Sequence, residues 1–133
     1  MTASDALQKA LFCTRAALEK KAHDLVVIEV GELTSVADYL VICSGRSDRQ
    51  VQAIAQSIEE QLRAQGIRPL SIEGAGRGQW ILMDYADVIV HVFYQPVREF
   101  YDLERLWEHA PQVQLPEPLR SQALELRAGT AGA

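Results

Sequence analysis

A chain of 133 residues, 48% of them hydrophobic and 23% charged, is long enough for one folded domain and too apolar to stay disordered. Thirteen Lys and Arg against 18 Asp and Glu leave a net charge of −5, which on average repels bare phosphate and disfavours a nucleic-acid binder. Cys13 and Cys43 are too few for a disulfide framework or a thiolate metal site and read as small buried hydrophobes. No apolar run reaches the roughly 18 residues of a membrane span. The N-terminal stretch carries Asp5 and Glu19 and lacks a leader's apolar core, so a cytoplasmic protein is expected.

In chain order, Ser4 can cap a first helix whose apolar positions are Leu7, Leu11, Thr14 and Leu18, running to about Ala22. LVVIEV after Asp24 and DYLVICS after an irregular GELTSVA are nearly uninterrupted aliphatic runs, as in strands covered on both faces. Gly45 ends the second of them. Ser47 and Gln50 have capping-box spacing, and Val51, Ile54, Ala55, Ile58 and Leu62 then form the stripe of a helix stopped at Gly66. PLSIEG reads as a short strand, its proline placing it at an edge or a strand start. The glycine-rich GAGRG, Gly74–Gly78, reads as a flexible turn.

Two further strands, near Gln79–Met83 and Val88–Phe93, are joined by the turn Asp84-Tyr85-Ala86-Asp87 into a hairpin. Pro96 opens a short helical region holding Phe100, Leu103 and Leu106. From Pro111 onward, prolines and small residues suggest a mobile tail over 111–133, with room for a short helix around Leu119–Arg127. The order α-β-β-α-β-β-β-α predicts an α/β (α+β) domain over 1–110, a five-stranded mixed sheet with flanking helices.

Enzymatic motifs are each outweighed by a simpler reading. GAGRG lies between strands, whereas a phosphate-cradling loop opens a helix. His23, His91 and His109 lack metal-ligand spacing, and His91, alternating within VIVHVF, reads as a satisfied, partly buried histidine. Ser44-Gly45-Arg46-Ser47 before a helix is a setting for metal-dependent nucleotidyl transfer, but such enzymes need paired carboxylates on the next strand. PLSIEG offers only Glu73. Arg46, Arg49, Arg63 and Arg68 are scattered by helical spacing among acids, which describes a solvated face.

Seven of the nine aromatic residues fall between Trp80 and Trp107, interleaved with Asp84, Asp87, Glu99, Asp102 and Glu104. Aromatic anchors in an acidic setting suit a basic protein partner. On an ideal strand Trp80, Leu82 and Asp84 share one face and Ile81, Met83 and Tyr85 the other. Val88, Val90 and Val92 of the returning strand oppose Ile89, His91 and Phe93. Both faces are thus apolar, so one packs on the helices and the other is either covered by further helices or left for a partner.

With these segments in view, the chain resembles the ribosomal silencing factor family (RsfS, or Iojap). The resemblance rests on KKAHDLVVIEV, LTSVADYLVICSGRSDRQVQAIA and QWILMDYADVIVHVFYQPVREFYDLERLW, in that order over roughly residues 5–110. It implies a nucleotidyltransferase-like topology without the catalytic acids, and no cofactor, metal or catalytic residue. It also implies a translational repressor that binds the large ribosomal subunit through ribosomal protein number fourteen and sterically blocks the small subunit. Homodimers form when members are free. Combined with the sidedness of the hairpin, it nominates Trp80, Met83, Asp84, Tyr85 and Asp87 as partner-binding residues, with Tyr39, Phe100 and Tyr101 as further candidates. The alternatives from other classes are a vestigial metal-dependent nucleotidyltransferase and a structural dimer or ribosome assembly factor.

Overall fold

The middle of the sheet is formed by the two runs with least polar interruption, β2 (Tyr39–Gly45), buried at every position, and β5 (Val88–Tyr94). They pair in parallel, Tyr39 opposite Val88 and Gly45 opposite Tyr94. A parallel pair is normally covered on both faces, which matches this composition. Outside them lie β1 (His23–Glu29), antiparallel to β2, then β4 (Trp80–Asp84) and β3 (Ser71–Glu73), giving the order β1-β2-β5-β4-β3. The computed structural model describes residues 3–127, and this α+β domain with a five-stranded mixed sheet is the predicted class. The strand after Pro69 does sit at an edge.

One face of the sheet carries Val27, Val41, Cys43, Ile81, Met83, Val88, Val90 and Val92 beneath two helices, α1 (Ala3–Glu19) and α2 (Asp48–Ala64). The apolar stripe of α2 is buried as its sequence predicts, and the Gln50 N–H donates to the Ser47 Oγ at 3.1 Å. Gln50 Oε1 does not close the box on Ser47; it accepts from the Arg46 N–H at 2.6 Å. The helix ends at Gln65 and Gly66 (φ 78°), as expected of a glycine stop.

Helix α1 departs from expectation. Its buried face is Ala6, Ala10, Cys13, Thr14, Ala16, Ala17 and Leu18, while Leu7 and Leu11 lie half-buried at the side. Small side chains let this helix lie close to α2, where the Ser57 Oγ–H reaches the Ala16 carbonyl at 2.9 Å. The larger leucines are displaced to the flank. Ser4's side chain is outside those described. Burial pushes the thiols of Cys13 and Cys43 up to about 12, so both stay protonated packing groups.

The opposite face is covered by α3 (Gln95–Tyr101), a 3₁₀ turn η1 (Leu103–Trp107) and the stretch to Ala110. The helical region predicted after Pro96 is therefore broken in two, at Asp102 (φ 48°). The GAGRG turn is anchored and not loose: Gln52 Nε2 donates to the Ala75 and Gly76 carbonyls at 3.0 and 3.2 Å. A Cβ on Gly74 would stand 2.1 Å from the Trp80 carbonyl oxygen.

Residues beyond Pro111 are not a free tail over the described part. The Glu29 N–H donates to the Pro111 carbonyl at 2.9 Å and the Val113 N–H to the Val27 carbonyl at 2.8 Å, closing the outer edge of β1. Helix α4 (Leu119–Glu125) then returns along α1, burying Leu119, and the Asp24 N–H donates to the Leu126 carbonyl. Hydrophobic positions Val113, Leu115, Leu119, Ala123 and Leu126, dispersed among prolines, supply this docking face. The remainder of the predicted tail, 128–133, lies outside the described residues.

Candidate partner-binding surface

The pleat of β4 decides which of the nominated hairpin residues face outward. Ile81 and Met83 are fully buried against the helices, and Trp80, Leu82 and Asp84 are half-exposed on the opposite side. Tyr85 follows Met83 inward and is 2% exposed. Met83 and Tyr85 therefore belong to the core, which corrects their nomination: neither side chain reaches the surface. Tyr39, also nominated, is buried at the start of β2. The Tyr85 hydroxyl has no hydrogen-bond partner, and burial raises its pKa.

Both turn acids are engaged within the chain. Asp84 Oδ1 accepts from the Ala86 N–H at 2.8 Å and steadies that residue at φ 74°. Asp87 pairs with the Lys9 ammonium at 2.6 Å, and Lys9 also donates to the Tyr85 carbonyl at 3.2 Å. Asp84 remains on the outer face beside Leu82; Asp87 is turned toward α1 and is not a free acid for a partner.

Trp80 is the centre of an aromatic cluster. Its indole lies 4.8 Å from the Phe93 ring and 5.0 Å from the Tyr101 ring, centre to centre, and Tyr101 meets Phe100 edge-on at 5.0 Å. Such tilted and edge-on contacts satisfy the ring quadrupoles. Phe93 is fully buried beneath, whereas Phe100 is 80% exposed and Tyr101 56%. Leu106, 73% exposed, extends the patch along η1, and Glu99, Asp102 and Arg105 rim it, with Arg105 Nε 3.3 Å from Asp102 Oδ2. The structure thus joins Trp80 to Phe100 and Tyr101, and separates it from Met83 and Tyr85.

A buried polar clamp holds this patch in place. Arg98 is 7% exposed; its Nη1 donates to the Ser44 Oγ at 2.8 Å, and its Nε and Nη2 donate to Glu104 Oε2 at 3.0 and 2.8 Å. This ties α3 and η1, which carry the exposed rings, to the end of β2. Glu104 Oε1 is buried without a partner. Sequence reasoning missed Arg98, Ser44 and Glu104 as a group; the one signal was a charged residue amid the apolar positions Val97, Phe100 and Tyr101.

Among the described residues no three His, Cys, Asp or Glu side chains are grouped to hold a metal ion, and no helix is long and apolar enough to cross a membrane. What the surface offers is a set of packed rings with a charged rim of Glu99, Asp102 and Arg105.

Known proteins resemble this chain in sequence and in fold. The family model described as ribosomal silencing factor during starvation matches residues 3–131, so the match includes the segment docked on β1. The chain is 43% identical over 97 residues to ribosomal silencing factor RsfS of Bacillus subtilis, covering 73% of this chain and 82% of that protein. It is 30% identical over 92 residues to a mouse protein named for mitochondrial assembly of the ribosomal large subunit, covering 67% of this chain and 40% of that one. A crystal structure of a Chromobacterium violaceum protein superposes with a TM-score of 0.74 at 32% identity, over 88% of this chain and 92% of the other. One from Bacillus halodurans gives 0.71 at 38% identity, over 84% and 99%. By sequence across nearly its whole length and by fold, this chain belongs to the ribosomal silencing factor family.

Proposed function

We propose that the chain is a non-enzymatic translational repressor of the cytoplasm. It binds the large ribosomal subunit through ribosomal protein number fourteen, on the subunit-joining face, and prevents the small subunit from docking. Family membership supports the ribosomal setting, and the observation that carries the contact is the exposed cluster of Trp80, Phe100 and Tyr101. Large rings in fixed positions lose little side-chain entropy on binding, which is why such clusters dominate interface energetics. Glu99 and Asp102 put acid on the rim beside Arg105, in a chain of net charge −5, a balance that suits a basic ribosomal protein. Repression then requires occupancy alone. In the free state the chain forms a homodimer.

The test is co-sedimentation with purified large subunits, followed by subunit joining on a sucrose gradient. Phe100→Ala removes a ring that is 80% exposed, so the fold survives, and a hot-spot loss of about 2 kcal/mol is expected in subunit affinity. Unchanged joining at saturating wild-type protein would reject the repressor reading. The mouse relative's name favours one second reading, a factor in large-subunit assembly. Binding to precursor particles but not to mature subunits is its signature.

A further inference from the structure

We propose that His91 is a positioning residue for this contact surface, holding the indole of Trp80 in the plane against which Tyr101 packs, with Phe100 edge-on beyond it. The inference rests on the surface reading above and adds a group that never touches the partner. Trp80 faces Phe93 in the β4–β5 register and Leu82 faces His91, so the indole spans a diagonal pair of positions to reach the histidine. There its Nε1–H donates to His91 Nδ1 at 3.1 Å.

An indole has a single donor, and one half-buried among rings needs an acceptor. His91 supplies it from a site only 7% exposed, with its ring within 13° of parallel to Phe93. Nδ1 accepts only when it carries no proton, so the imidazole is neutral with its hydrogen on Nε2. Desolvation keeps it so, depressing its pKa to about 4 against the opposing pull of Glu104. A leucine could fill this space, but it would leave the indole free to turn about its side-chain torsions. Tyr101, 5.0 Å from that indole, would lose its support.

The experiment uses the full chain carrying Trp107→Phe, so that Trp80 is the only indole. His91→Asn keeps an acceptor at the position of Nδ1, His91→Gln moves it outward, and His91→Leu abolishes it. Affinity for isolated large subunits is read by co-sedimentation, and the setting of Trp80 by its near-ultraviolet circular dichroism. His91→Leu and His91→Gln are expected to bind about ten-fold more weakly with an altered Trp80 signal, and His91→Asn within about three-fold of the parent with the signal restored. If His91→Leu does not fold, the Asn and Gln variants carry the comparison. Equal affinities for Asn and Gln, with Phe100→Ala still impaired, overturn the positioning role and leave the surface intact. If Phe100→Ala also binds normally, the surface reading itself falls, and this inference with it.

Discussion

Replacing Tyr85 by phenylalanine should stabilise the protein. The ring lies in the core shared with α1 and α2, and its hydroxyl is shut off from solvent with no acceptor or donor beside it. In the unfolded chain that hydroxyl is hydrated, so folding costs it a hydrogen bond that is never regained. Burying an unpaired hydroxyl costs about 1–3 kcal/mol in proteins, and removing it leaves no cavity larger than one oxygen atom. Taking the low end, about 1 kcal/mol, and an unfolding entropy of about 2.1 cal/mol/K per residue over 133 residues, Tm should rise by about 4 °C. Differential scanning calorimetry of wild type and Tyr85→Phe measures this directly, with urea unfolding as the independent check on the free energy. Large-subunit binding should be unchanged, because the side chain does not reach the surface. A lower Tm for Tyr85→Phe would refute the reasoning, since it would mean that the hydroxyl is satisfied in the folded protein.

Three further outcomes follow from the same geometry. His91 has a depressed pKa when folded, so its contribution is complete above about pH 6.5 and is lost as pH falls toward about 4, for a total of about 3 kcal/mol. Urea unfolding at pH 7 and pH 4 should show that much less acid sensitivity in His91→Asn, and equal sensitivity would contradict it. Gly66 and Gly74 both have positive φ, but only Gly74 faces backbone at contact distance, so Gly66→Ala should cost about 1 kcal/mol and Gly74→Ala about 3 kcal/mol or more. Thermal melts rank the pair, and similar losses would show that the close approach to Trp80 is relieved cheaply. Ending the chain after Ala110 removes the buried Leu119 and the bonds to Val27 and Glu29, which should cost about 3 kcal/mol or more in urea unfolding. An unchanged midpoint would mean that the segment adds nothing to the fold.

The strands and α2 were legible because their periodicities are strong and local. β2 has no polar side chain before Ser44, and α2 carries its own cap, stripe and stop. The sidedness of the hairpin was legible for the same reason: a period of two leaves Ile81 and Met83 no choice once Val88, Val90 and Val92 face the helices. Which face was the surface was not legible, because both are apolar and only the packing of α3 and η1 decides between them. Nominating Met83 and Tyr85 beside Trp80 required a twist that the strand does not make. The clamp joins Arg98 and Glu104, six residues apart, to Ser44, which lies 54 residues before Arg98, and no local pattern announces such a triad. The docked segment after Pro111 was hidden by its prolines, which mark loops reliably but say nothing about whether a loop is pinned by its neighbours.

The bonding of residues 111–113 to β1 also joins the first strand of the chain to a segment made late. β1 is among the first strands synthesised, yet the groups that seal its outer edge are made only after every other strand. Contacts so distant in sequence raise the contact order of the fold, and folding slows as contact order rises. Until they form, a partly made chain displays an open row of backbone donors and acceptors, the kind of edge that pairs with other unfinished chains. A chain ending before Pro111 is therefore expected to keep that edge open and to associate more readily than the full chain.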